Sequence, residues 1–152
     1  MELALVRHFN PRTMLIVPNV SWGLFWRQEV DLLLLNTLNY ATEIELKVSK
    51  GDLLKDVQKY HQHKNAKISR TYFALPTSLI PYINAVPIHC GVLEVEEKAH
   101  FGRYRIVEHR KPEIRHEYKF TDKERYQLAR LGALRIWTLK RKIHKLKTKA
   151  EK

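Results

Sequence analysis

Two carboxylates and an ammonium, Glu43, Glu45 and Lys47, alternate along the chain with Thr42, Ile44, Leu46 and Val48. A period of two predicts a β-strand with one apolar face and one face carrying Glu43, Glu45, Lys47 and Ser49. Just upstream, Glu29, Asp31, Leu33 and Leu35 share a face of a second strand, with Asp31 ahead of a leucine run that calls for burial. The four residues between the two strands, Asn36-Thr37-Leu38-Asn39, read as a turn. If the strands pair, Asp31 meets Glu45 on one side of the sheet with Lys47 beside them. Paired acids can hold a hard divalent cation such as Mg²⁺, which takes one or two carboxylates and completes its shell with water and phosphate. An adjacent lysine can orient a water or stabilise charge developing on a phosphodiester.

Several elements must position these residues. Glu2 to Phe9 reads as a short helix ended by Asn10-Pro11, because the residue before a proline is pushed out of the helical region. Met14 to Val17 is a short apolar strand, closed by Pro18-Asn19, and Val20 to Gln28 is a loop. Lys50-Gly51-Asp52 opens a helix to about His63, with Leu53, Leu54, Val57 and Tyr60 at helical spacing and Ser49 as its cap. Ile68 to Leu75 is a strand stopped by Pro76, Thr77 to Asn84 a short helix interrupted by Pro81, and Gly91 to Val95 a strand. Tyr104 to Val107 is a weaker one. Thr121 and Glu124 form a capping box, so a long helix begins at Asp122 and runs to about Lys147. The order predicts an α/β domain with a mixed sheet over residues 1–111 and a basic helical extension over 112–152, joined at Pro112 to Thr121.

The Asp31 … Glu45-Leu46-Lys47 pattern, on consecutive strands in this element order, resembles the PD-(D/E)XK nuclease superfamily, with its restriction-endonuclease-like α-β-β-β-α-β core. The run Glu45-Leu-Lys47-Val-Ser49-Lys-Gly-Asp52, then Tyr72-Phe-Ala-Leu-Pro76 and Gly91-Val-Leu93, is similar to the MmcB-like DNA-repair branch and its phage relatives. The likeness covers roughly residues 2–95. It implies a Mg²⁺- or Mn²⁺-dependent deoxyribonuclease with Asp31, Glu45 and Lys47 catalytic. The metal would be held by Asp31, Glu45 and the Leu46 carbonyl. The superfamily often places an acid on the first helix, and Glu2 is the residue that could serve.

Charge is distributed unevenly. Residues 1–102 hold 11 Lys/Arg against 10 Asp/Glu, and residues 103–152 hold 17 against 6, within a net charge of +12. A basic C-terminal third points to a polyanion, and with a nuclease-like site the simplest partner is DNA. Its backbone would meet Lys50, Lys59, Arg135, Lys140, Arg141, Lys142 and Lys145. Leu134, Trp137, Ile143 and Leu146 could instead pack on the body or on a second subunit in a homodimer. Two rivals stand beside the nuclease: a DNA-binding protein that kept the fold without cleaving, and a basic-helix protein for membrane or protein partners. On a merely solvated sheet face, Glu43, Glu45 and Lys47 would form only weak cross-strand pairs. Residues two apart on a helix do not share a face, so His61 and His63 read as helix-end cations rather than metal ligands. Trp22, Phe25 and Trp26 read as packing residues, with base stacking the other use of such rings. Cys90 is the only cysteine, which excludes an intrachain disulfide and suits a reducing cytoplasmic compartment.

Overall fold

A computed structural model describes residues 1–21, 29–58, 65–98 and 103–150. Helix α1 (Glu2–Phe9) precedes strands β1 (Leu15–Val20), β2 (Val30–Leu35) and β3 (Ala41–Leu46). Helix α2 (Lys50–Gln58), strand β4 (Ile68–Pro76) and a 3-10 helix over Thr77–Ala85 follow. Strands β5 (Gly91–Lys98) and β6 (Arg103–Arg110) lead to helix α3 (Asp122–Ala150). The α/β class is as the sequence predicts. The six strands form one sheet in sequence order. The β1–β2, β2–β3 and β5–β6 pairs are antiparallel, whereas β3–β4 and β4–β5 are parallel.

Strand β3 ends at Leu46, short of Val48, and β5 runs on to Lys98 rather than Val95; β1 and β6 differ from the sequence reading for visible physical reasons. Strand β1 does not close at Pro18-Asn19 but continues to Val20. It lies at the edge of the sheet, where a proline's missing N–H breaks no ladder bond, and Asn19 takes a left-handed conformation with φ 52°. Strand β6 is twice as long as the Tyr104–Val107 segment because its polar residues pair across to β5: His109 with Glu94 at 2.7 Å, and Arg105 with Glu96 at 4.0 Å.

Between β2 and β3 the turn is held by Asn36, whose Oδ1 accepts from the Leu38 and Tyr40 amides at 3.0 Å each, with Asn39 left-handed at φ 66°. This turn sets the register Leu32↔Ile44, Leu33↔Glu43, Leu34↔Thr42, Leu35↔Ala41. Continued by one step, it puts Asp31 opposite Glu45.

Both faces of the sheet are covered. Ala4 and Leu5 of α1 pack on Leu32, Leu34, Ile44, Ala74, Leu93 and Val95. On the other face, Phe120 and Leu128 of α3 and its lead-in pack on Val17, Leu33, Leu35 and Ala41. Beside them, Leu53 of α2 packs with Phe73, Leu75, Leu79 and Val92. Burial of such side chains, at about 1.5–3 kcal/mol each, is the main force holding the helices to the sheet.

Helix α3 starts at the predicted capping box. The Glu124 amide bonds to Thr121 Oγ1 at 3.3 Å, and Glu124 Oε2 accepts from the Thr121 amide at 2.9 Å. Glu124 also takes bonds from Tyr118 and Lys67, which tie the first turn to the residue just before β4. Burial pushes its carboxyl up, but these bonds and those of Thr121 outweigh it and bring it down to about 2. Farther along, the Gly132 position sits against Val17, where a Cβ would lie 3.3 Å from a valine methyl. No helix among the described residues is long and apolar enough to cross a membrane.

Candidate functional site

Period-two alternation puts Asp31 with Leu33 and Leu35, Glu43 and Glu45 with Ala41, and Thr71 with Phe73 and Leu75 on one sheet face. The acids thus lie between the cluster under α3 and the cluster under α2. The polar face of β3 is not a solvated surface. Glu43, Glu45 and Lys47 are only 2%, 4% and 6% exposed.

Buried charge must be paired or neutralised. Lys47 Nζ donates to Glu45 Oε2 at 3.0 Å and stands 6.0 Å from the Phe73 ring centre. Thr71 Oγ1 donates to Glu43 Oε2 at 3.0 Å, across the Glu43↔Thr71 register of the parallel pair. The Leu46 amide donates to Asp31 Oδ2 at 2.8 Å, so the Asp31 carboxylate stands in for a ladder acceptor where the β2–β3 pairing ends. The next amide, that of Lys47, bonds to the Ala74 carbonyl at 3.1 Å and fixes the end of β3 against β4.

One atom of this set has no protein partner: Glu45 Oε1 is buried without a hydrogen bond. Burial first, then the charges of Glu43 and Asp31, push the Glu45 carboxyl up to about 8, against the pull of Lys47. Charge from both neighbouring acids acts on Glu45, which brings all three carboxylates into one electrostatic unit. A buried carboxyl held near neutrality with one oxygen unsatisfied has the capacity to take up either a proton or a cation. The donor set of Glu45 Oε1 and the Asp31 carboxylate fits a hard, oxygen-seeking divalent ion, which needs no more than one or two protein carboxylates. Among the described residues no group of three His, Cys, Asp or Glu is arranged to hold a metal, so protein atoms alone would leave such a shell incomplete.

The other sequence-predicted residues are dispersed. Glu2 is exposed on α1, whose buried residues pack on the opposite sheet face, so the structure does not bring it to the acids. Lys50 opens α2 with its ammonium 4.2 Å from the Tyr82 ring centre. Arg135 is half-buried and donates to the Asn19 carbonyl, which makes it a tie between α3 and β1 rather than a free cation. Lys140, Arg141, Lys142 and Lys145 are exposed on the distal half of α3. Lys59, His61, His63, Trp22, Phe25 and Trp26 lie outside the described residues. Ser49 acts as the predicted cap, accepting from the Asp52 amide at 3.2 Å.

Sequence reasoning missed Thr71. Its only signal was its place in the alternation with Phe73 and Leu75, which becomes informative once β4 is known to run parallel beside β3. A separate cleft on the opposite face, lined by Phe9, Arg70, Tyr72, Glu108 and Lys111 among others, shares no residue with the acids.

No family model matches the chain, and no curated protein matches it significantly. Among solved structures, SPO1766 from Silicibacter pomeroyi, a protein of unknown function, is similar in fold. It has a TM-score of 0.63 at 17% sequence identity, and the likeness covers 93% of this chain and 86% of that one.

Proposed function

We propose that the chain is a Mg²⁺- or Mn²⁺-dependent deoxyribonuclease built around Asp31, Glu45 and Lys47. The observation that carries this reading is the buried, unpartnered Glu45 Oε1 in a cluster of three carboxylates and one lysine on a single sheet face. The resemblance of Asp31 … Glu45-Leu-Lys47 to the PD-(D/E)XK pattern supports it further. When bound, the divalent ion would supply charge neutralisation at the non-bridging phosphate oxygens and a lowered water pKa.

The chain's own residues do the rest. Glu45 Oε1 and the Asp31 carboxylate would hold the ion, and the Leu46 amide keeps the Asp31 carboxylate from turning away. Lys47, braced by Glu45 Oε2, would offer a fixed ammonium to a phosphoryl group held by the ion, where it would stabilise developing negative charge. Thr71 keeps Glu43 oriented, so its charge acts on Glu45 from a constant position. The cations of Lys50, Arg141 and Lys145 offer contacts to the phosphate backbone.

One observation favours a second reading, a DNA-binding protein that does not cut. The near-complete burial of Glu43, Glu45 and Lys47 is also what a purely structural ion network would show.

A panel of labelled duplex, flap, junction and single-stranded DNA, incubated with Mg²⁺ or Mn²⁺, separates the two. Cleavage by the wild type, lost in Glu45→Ala and Lys47→Ala while affinity stays within a few fold, supports the nuclease. Binding without cleavage in all three proteins supports the second reading. Cleavage undiminished in both variants sinks the assigned site.

A further inference from the structure

The first half of α3 faces the sheet through Leu128, Leu131, Gly132 and Arg135. Beyond Thr138 every described side chain of the helix is exposed, so the distal half stands clear of the body. It is not a merely polar arm. Ile136, Leu139, Ile143 and Leu146 are 55%, 57%, 52% and 67% exposed and recur at steps of three, four and three.

That spacing is a heptad seam, with isoleucine at each a position and leucine at each d, the combination that favours two-stranded coiled coils. It continues the stripe that Gly132 occupies against Val17, whose first half is buried; Leu134 and Trp137, 51% and 60% exposed, lie off this stripe on the other side of the helix. Phosphate contacts do not cover such side chains, and an apolar row left in water marks an interaction surface.

The flanks of the seam identify the occupant. Lys140 and Lys147 fall at e, and Arg135 and Lys142 at g. Two copies of this helix would oppose Lys142 with Lys147 in a parallel pair, and lysine with lysine in an antiparallel one. Like charges at e and g disfavour pairing with itself in either direction. An acidic helix has the complementary charge.

We propose that the distal half of α3 is one strand of a heterotypic coiled coil, and that its partner is a protein helix with apolar a and d positions and Glu or Asp at e and g. Arg141 and Lys145, on the far side of the helix, stay open to solvent when the seam is filled. Partner docking and phosphate contact are thus compatible, and the inference does not depend on the nuclease reading.

The test uses the full chain and four labelled probes. These are a helical peptide with Ile at a, Leu at d and Glu at e and g, its counterpart with Lys at e and g, a short duplex DNA, and anionic phospholipid vesicles. The acidic peptide is expected to bind with a Kd on the order of 10 µM or tighter, and the lysine peptide at least about tenfold more weakly. The neutral double variant Leu139→Ser/Ile143→Ser alters only exposed side chains, so the fold persists. It is expected to lose about tenfold or more for the acidic peptide while duplex affinity stays within about twofold. The triple variant Lys140→Glu/Lys142→Glu/Lys147→Glu is expected to exchange preference to the lysine peptide. Equal binding of both peptides by the wild type overturns the proposal. So does a double variant that binds the acidic peptide as well as wild type, or a seam whose loss weakens only duplex or vesicle binding.

Discussion

Replacing Glu45 by Gln keeps the shape of the side chain and removes its ability to ionise. In the folded protein the Glu45 carboxyl titrates at about 8, against 4.5 for the ordinary group. Between those values the folded state holds a proton that the unfolded chain has released, so wild-type stability falls as pH rises through this window. It levels off above about 8. At 1.36 kcal/mol per pH unit the full interval corresponds to a ceiling of about 5 kcal/mol, and relaxation around a buried acid makes about 2–3 kcal/mol the expected size. Glu45→Gln lacks this term. Measured by urea unfolding in metal-free buffer, the variant gains on the wild type by about 2–3 kcal/mol between pH 5 and pH 9. The many other titrating groups cancel in the comparison, because they are common to both proteins. A wild-type minus variant difference that stays constant from pH 5 to pH 9 refutes the buried, proton-poised Glu45 and with it the electrostatic case for a cation site.

Three further outcomes are expected. Mg²⁺ raises the melting temperature of the wild type at pH 8 and leaves that of Glu45→Gln unchanged, because only the carboxylate form offers the ion a charged ligand; equal shifts in both proteins place the ion elsewhere. Ending the chain after Thr138 removes 7 Lys/Arg and 1 Glu without touching Phe120, Leu128 or Leu131, so the fold survives while the slope of log affinity for duplex DNA against log salt flattens. An unchanged slope removes the distal helix from the DNA interface. Gly91→Ala puts a methyl 2.8 Å from Pro112 Cδ and closer still to the Tyr72 ring, so urea denaturation should show a loss of about 1–3 kcal/mol. A variant as stable as wild type means that the 112–118 connector yields freely.

The alternation of Glu43, Glu45 and Lys47 with Ile44 and Leu46 was enough to place three polar side chains on one face of a strand and to pair Asp31 with them. It could not say what lies over that face. The apolar clusters on the same face are completed by Leu53 and Leu128, one just after the strand and one more than eighty residues away, and burial of both sheet faces erases the in-out contrast that periodicity encodes. The lone-pair economy of the site was equally hidden. That Asp31 accepts from the Leu46 amide and Glu43 from Thr71 depends on register between strands, which a local pattern does not carry. Capping signals fared better, because Thr121 with Glu124 and Ser49 with Asp52 act within a single turn. Arg135 read as a free cation for the opposite reason: only the tertiary approach of β1 turns it into a donor for the Asn19 carbonyl.

Glu124, gripping Lys67, Tyr118 and Thr121 at once, has a mechanical meaning for the far end of the same helix. From Thr138 to Ala150 the helix advances about 18 Å at 1.5 Å per residue. A flexible chain of that length has a root-mean-square reach of about 20 Å, nearly the same, but spread over every direction. The clamp at the helix start, with Leu128 and Gly132 seated on the sheet, converts that diffuse reach into a bearing. Whatever the distal half carries is delivered at one angle and one distance from the acids, as on the arm of a compass whose pivot has been screwed tight. Loosening the pivot, by Glu124→Ala for instance, would leave the length of the arm untouched and blur only its aim.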